Sequence, residues 1–289
     1  MTGVGRLRRT VASGVAAATT RELRRRLDRS PPGGSGPWTR TNHAGASVSL
    51  LEGPALVGGV VAGTVVTGGV RLRTRLATAA ALGVVGGAGA HDDLYGSGST
   101  KGIRGHLGAL RRGEVTSGAV KIGVIGLSGL AAAAALRRER GERAGLVGTL
   151  LDGALIAGTA NLVNLLDLRP GRALKVALAT GPLLSTSSAG AGLAAPAVGA
   201  STAALQDDLA GKTMMGDCGA NTLGAAIGCA MVVGSPAPVR RLLLGSVVGL
   251  TLLSERVSFT EVIESTPWLR RLDQVGRPGA SRGVTAATS

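Results

Sequence analysis

Two windows of this chain carry no charge at all, Gly53–Val70 and Val176–Gln206, and they limit what it can fold into. A soluble helix needs a polar face, so an uncharged run of about 17–25 apolar residues reads as a membrane-spanning candidate. Eight such candidates follow: Pro54–Val70, Thr74–Ala90, Ser117–Leu136, Ala144–Ala160, Leu174–Ser188, Gly190–Gln206, Gly219–Gly234 and Leu242–Ser254. They are built from Ala, Gly, Val and Leu, and small residues let helix backbones pack closely. The ten-residue alternation of a membrane barrel is missing. The expected fold class is an all-α integral membrane bundle of about 8–10 helices with its site on the cytoplasmic face. Residues 1–53 read as a basic N-terminal segment and first loop, 54–254 as the membrane domain and 255–289 as a cytoplasmic tail. The apolar run Val11–Ala18 is too short for a signal peptide and reads as a degenerate span or a surface helix.

Loops between these candidates form two sets. Arg21–Glu52, His91–Gly113, Asn161–Arg172, Asp207–Cys218 and the tail from Glu255 are long and polar, whereas those between them are short. Two spans separate each long loop from the next, so all long loops share one face. That face carries about twenty Lys and Arg against about nine opposite, which makes it cytoplasmic in a multi-pass cell-membrane protein.

The net charge of +15 raises nucleic acid as a partner. Single-strand binders interleave aromatics with basic residues, and only Trp38, Tyr95, Phe259 and Trp268 are aromatic here. The arginines sit between apolar stretches and fit anionic headgroups instead. Cys218 and Cys229 read as two free thiols. Ser30–Gly36 reads as a flexible linker, and Gly283–Ser289 as a disordered end.

Chemistry-bearing residues collect in the long loops. The adjacent carboxylates Asp92 and Asp93 can hold Mg²⁺ or take a proton. Lys101 and His106, among glycines, suit a phosphate, and Lys121 lies just inside the next span. Asn161, Asn164 and Asp167 recur at i, i+3 and share a helix face if the helix continues. Asp217, between Gly216 and Gly219, is an exposed carboxylate suited to a metal-bound phosphate. All four lysines, including Lys175 and Lys212, lie in or beside these loops, although arginines number twenty-eight. A compact ammonium suits phosphate. Each motif also has a plain structural reading: a helix end meeting water, a headgroup anchor, or a glycine turn. Asp152, inside a span, reads equally as a functional group or a polar contact.

Together these motifs resemble the polyprenyl-phosphate N-acetylhexosamine-1-phosphate transferases, glycosyl transferase family 4, over roughly Thr41 to Ser254. The paired acids match Asp92 and Asp93. The Asn-x-x-Asn-x-x-Asp element matches Asn161, Asn164 and Asp167, and Met-Gly-Asp-x-Gly matches Met215, Gly216, Asp217 and Gly219. Asn42 and Gly45 look like the family's first loop. The resemblance implies transfer of a sugar-1-phosphate from a UDP-sugar to a polyprenyl phosphate, with release of UMP, in cell-envelope glycan synthesis. It implies Mg²⁺ on Asp217 and Asp93, with Asp92, Asp93 and Asp167 as catalytic acids. Asn42, Lys101, His106, Lys121, Asn161, Asn164 and Lys212 would bind substrate. The implied partners are polyprenyl phosphate, a nucleotide-sugar and the membrane, with no nucleic acid and with a homodimer left open. The chain departs from the family at Pro170, where a second acid is usual, and in having no histidine after His106. A non-catalytic relative and a small-solute transporter are the alternatives.

Overall fold

The structure, a computed structural model, describes residues 3–42, 45–96, 102–142 and 145–277. Lys101 and Gly283–Ser289 lie outside them. Among the described residues the fold is all-α apart from one small hairpin. The helices are α1 (Gly3–Arg29), α2 (Glu52–Val66), α3 (Leu72–Tyr95), α4 (Gly102–Arg111), α5 (Ser117–Glu139) and α6 (Leu146–Leu166). They continue with α7 (Arg172–Leu183), α8 (Ser188–Leu209), α9 (Gly216–Gly234), α10 (Ala237–Ser254), α11 (Phe259–Ser265) and α12 (Pro267–Gln274). Strands β1 (Thr39–Thr41) and β2 (Ser47–Ser49) pair antiparallel, Arg40 opposite Val48.

A helix occupies every one of the eight expected positions. Three of them, α5, α6 and α10, are long and apolar enough to cross a membrane by length and composition. The boundaries differ where charge ended the reading of the sequence. The span expected from Leu242 begins at Ala237, because Arg240 is buried and neutralised by Glu142 of the α5–α6 loop and Asp152 of α6. The expected span Leu174–Ser188 shortens to α7, since Ser187 Oγ accepts Gly190 N–H at 3.0 Å and starts α8 there. The Val11–Ala18 run belongs to a full helix inside the bundle. α1 packs on α2 and α8, with Ala12, Ala16 and Thr20 buried. Its contacts use glycine: a Cβ on Gly59 would lie 1.9 Å from Thr20 Oγ1, and one on Gly199 2.0 Å from Ser13 O.

α9 is the central helix, buried along nearly its whole length and packed by α6, α3, α8 and α2. Gly224 and Gly228 bring it against α6, where added Cβ atoms would meet Thr159 O at 2.4 Å and Ile156 Cα at 2.8 Å. The N-terminus of α9, at Gly216 and Asp217, is therefore walled by α3, α5 and the α2 start.

Ser30–Gly36 is an ordered turn and not a flexible linker. Gly34 N–H donates to Pro31 O at 3.0 Å, and buried Trp38 donates its indole N–H to Pro32 O at 2.7 Å. Trp38 then packs with Leu50 and Leu51, so one aromatic side chain offsets the entropy of ordering a Gly-rich stretch. The loop after α8 extends the hairpin: Ser49 N–H donates to Lys212 O at 3.1 Å and Met214 N–H to Ser49 O at 3.0 Å.

Candidate functional site

At one end of the bundle the hairpin, the end of α3, the end of α6 and the α8–α9 loop converge. α3 continues through His91 to Tyr95, which places Asp92 and Asp93 on its last turn. The α3 and α9 backbones almost touch beside them. A Cβ on Gly89 would sit 2.4 Å from Asp217 O, and one on Gly216 2.8 Å from the Asp93 carboxylate. Gly216 has φ +58°, a left-handed conformation that side chains disfavour, so both sterics and backbone require glycine there. Gly53 of α2 closes the third side, its added Cβ 2.3 Å from Met215 O.

Asp93 caps α9. Its Oδ1 accepts Asp217 N–H and its Oδ2 accepts Cys218 N–H, each at 2.9 Å. These are orphan donors of a helix N-terminus, and a carboxylate there also meets the positive end of the helix dipole. Burial, and next the Asp217 charge, nevertheless raise the Asp93 carboxyl to about 7; the two N–H donors and Lys121 act the other way. Arg40 of β1 donates to the Asp93 backbone carbonyl and ties the hairpin to this corner.

Lys121, on the first turns of α5, bridges two acids. Its Nζ donates to Asp92 Oδ2 at 2.6 Å and also to Asp217 Oδ2. All three side chains are largely buried. Burial pushes the Asp92 carboxyl up, but the Lys121 ammonium outweighs it and holds the group below its ordinary value. Two carboxylates from α3 and α9 thus already converge on one cation.

Beyond these lies a cavity of about 440 Å³, walled by Asn42 and Val48 of the hairpin, Asp167–Pro170, Asp208, Gly211, Thr213, Met214 and Arg277. α6 does continue to Leu166, so Asn161 and Asn164 lie half-buried on its last turns and Asp167 follows directly. Burial, then Asp208, Glu52, Asp217 and Asp93, push the Asp167 carboxyl well above its ordinary value. Asn42 Oδ1 accepts Ala46 N–H at 2.9 Å, which shapes the hairpin turn in the cavity wall.

Not every expected residue takes part. Lys212 is 71% exposed and sits 3.7 Å from Asp207, on the outer surface. His106 falls on α4, with its side chain outside the described part. Asp152 belongs to a cluster at the opposite end, 2.9 Å from both Arg137 and Arg240.

Three groups escaped the reading of the sequence. Asp208 is buried, accepts Gly171 N–H at 3.2 Å, and is raised to about 6, chiefly by burial. Glu52 is buried, and Thr213 Oγ1 donates to it. Burial and then Asp208 push its carboxyl well above the ordinary range. Arg277 comes from the tail. Asp208 lies in the expected long loop Asp207–Cys218, where the neighbouring acid Asp207 gives it no distinguishing pattern; for Arg277 no sequence signal exists.

Among the described residues no group of three or more His, Cys, Asp or Glu forms a ready-made metal cage. Mg²⁺ commonly uses one or two carboxylates plus substrate phosphates. Of the expected ligands Asp217 and Asp93, Asp93 spends both oxygens on α9 N–H groups, whereas Asp92 and Asp217 are hard oxygen donors that converge on the Lys121 ammonium. No protein-family model matches the chain, and none of the curated proteins compared with it matches either.

Proposed function

We propose that the chain is an integral membrane, Mg²⁺-dependent phosphoglycosyl transferase. It moves a sugar-1-phosphate from a UDP-sugar to a polyprenyl phosphate and releases UMP, in cell-envelope glycan synthesis. The observation that carries this reading is Lys121 held between Asp92 and Asp217, next to a carboxylate-lined cavity at the same end of the bundle.

The outer surface supports membrane insertion. Leu127 on α5, Leu146 and Val147 on α6, and Leu242 and Leu252 on α10 are all exposed. Apolar surface of that extent is costly in water and favourable in lipid. The Lys and Arg balance puts the acidic end in the cytoplasm.

Both substrates are anionic, so the site's task is positioning and charge neutralisation. A lipid phosphate oxygen forms a bond to the phosphorus that carries the sugar, and the bond from that phosphorus to the bridging oxygen of UMP breaks. Mg²⁺, when bound by Asp217 and Asp92, would neutralise the diphosphate and the leaving UMP. Lys121 supplies a positive charge beside them and keeps the two carboxylates from repelling one another. Asp93 fixes the N-terminus of α9, so it sets where Asp217 points, and its raised proton affinity suits exchange with a phosphate. Asn161, Asn164 and Asp167 would contact the nucleotide side or the metal site.

The test is UMP release in membranes containing Mg²⁺, polyprenyl phosphate and a panel of UDP-sugars. Asp217→Asn should lose at least 100-fold in rate with the protein still inserted and folded. Unchanged release by Asp217→Asn would overturn the proposal.

A second reading, a non-catalytic binder of a nucleotide-sugar, draws on Pro170 in the cavity wall and on an ammonium already pairing Asp92 and Asp217. Binding without turnover across the whole panel would favour it. A transporter is disfavoured, because transporters place their polar groups at mid-membrane, whereas the buried charges here gather at the two ends of the bundle.

A further inference from the structure

The tail after α12 reaches back into the cavity, and its last described residue is an arginine with donors to spare. Gly276, at φ +80°, turns the chain after α12, and Arg277 N–H donates to Gln274 O at 3.1 Å. The guanidinium is then held from two sides. Nε donates to Pro170 O at 3.0 Å, and Nη1 lies 3.0 Å from Asp273 Oδ2. Nη2 is buried and has no hydrogen-bond partner.

The anchor beneath it is built, too. Arg172 donates to both Asp273 oxygens, at 2.8 and 3.3 Å, and Lys175 Nζ donates to Asp273 O at 2.6 Å. Arg169 pairs with Glu264 of α11 at 2.8 Å. Three basic residues of the α6–α7 turn and α7 thus clamp the tail to the cavity rim. Arg277 forms no ion pair with Asp167 or Asp208, the two carboxylates of that cavity. A buried N–H with no acceptor has lost its water and gained nothing for it. A guanidinium already fixed by two contacts loses little entropy on taking a further ligand, and its planar fork matches phosphate.

We propose that Arg277 is a phosphate-binding residue for the nucleotide, so that the docked C-terminal tail completes the substrate cavity. The inference rests on the phosphoglycosyl transferase reading and adds to it the group that grips the nucleotide's phosphate. Arg277 offsets part of the Asp208 charge, since it lowers that carboxyl against the effect of burial, and burial leads the effects that push Asp167 up. Pro170 gains a purpose: where an acid would pair with Arg277, its carbonyl orients the guanidinium and leaves Nη2 available.

The experiment is titration calorimetry on the full chain in detergent, with UMP, uridine and polyprenyl phosphate as separate probes. Wild type should bind UMP more tightly than uridine. Arg277→Gln should weaken UMP by about tenfold to a hundredfold, the loss of one charge-assisted contact, and leave uridine and polyprenyl phosphate unchanged. Arg277→Lys should recover part of the difference. Melting temperature without ligand separates this effect from unfolding, since Arg277→Lys keeps the charge toward Asp273. Wild-type affinity for UMP in folded Arg277→Gln overturns the inference alone. So does a loss confined to polyprenyl phosphate. Failure of wild type to bind UMP at all overturns the transferase reading along with it.

Discussion

The two ends of the bundle both gather buried charge, and they treat it in opposite ways. Among the described residues of the short-loop end, the buried acids are matched by arginine. Asp152 lies 2.9 Å from Arg137 and Arg240, and Glu142 lies 2.8 Å from Arg137, Arg140 and Arg240. Hydrogen bonds from Arg240 lead the effects that hold Glu142 down at about 2. At the long-loop end acids outnumber their partners. Lys121 serves both Asp92 and Asp217, while Asp93, Asp167, Asp208 and Glu52 are all pushed upward, first of all by burial. Saturated pairing fastens helices together. Unsaturated carboxylates cost stability, and they are kept where a ligand supplies the missing charge.

The sharpest way to break this contrast is to remove one acid from each end. Asp152→Ala removes one of the two acids that Arg137 and Arg240 share, leaving Glu142 as their partner, and should cost roughly 1–3 kcal/mol in stability. Thermal denaturation would measure it. UMP release per folded molecule should stay at wild-type level, whereas Asp217→Asn should keep the melting temperature and lose turnover. Equal loss of turnover in both variants would erase the distinction between the two ends.

Gly216→Ala probes the seam between α3 and α9. It forces a side chain into φ +58° and places its Cβ 2.8 Å from Asp93. A cost of roughly 1–2 kcal/mol is expected from the backbone alone, together with loss of turnover as the Asp93 cap shifts. A variant with both properties intact would show that the cap does not set Asp217.

The smallest effect is a pH dependence. Glu142 has a folded value of about 2 against an ordinary 4.5, so its pairing stabilises the fold above that ordinary value. The contribution fades as pH falls from about 4.5 to about 2. The melting-temperature gap between wild type and Glu142→Gln should therefore be full near neutral pH and close across that acidic range. A gap independent of pH would mean that packing, not charge, gives Glu142 its role.

Much of the fold is legible from hydropathy alone. Helix positions follow from apolar runs, and the shared face of the long loops follows from counting spans. The i, i+3 spacing of Asn161, Asn164 and Asp167 suited a continuation of α6, which the sequence left open and the structure carries to Leu166. Boundaries failed where charge is neutralised across the fold, as at Arg240, and where a single aromatic pins a Gly-rich turn, as at Trp38. Of the proposed site, the sequence displayed the residue types and one side of the bundle. It did not display their pairing.

What the sequence determined by itself is therefore the all-α architecture and the end of it where carboxylates collect. These depend on local composition and on periodicity along one helix, which are written in the order of residues. The tertiary structure alone decided that Asp93 caps α9, that Lys121 bridges Asp92 and Asp217, and that Arg277 returns to Pro170. Those partners lie 124, 29, 96 and 107 residues apart. Charges so distant in the chain interact only after helix packing brings their ends together, and no spacing rule within one helix encodes which ends will meet.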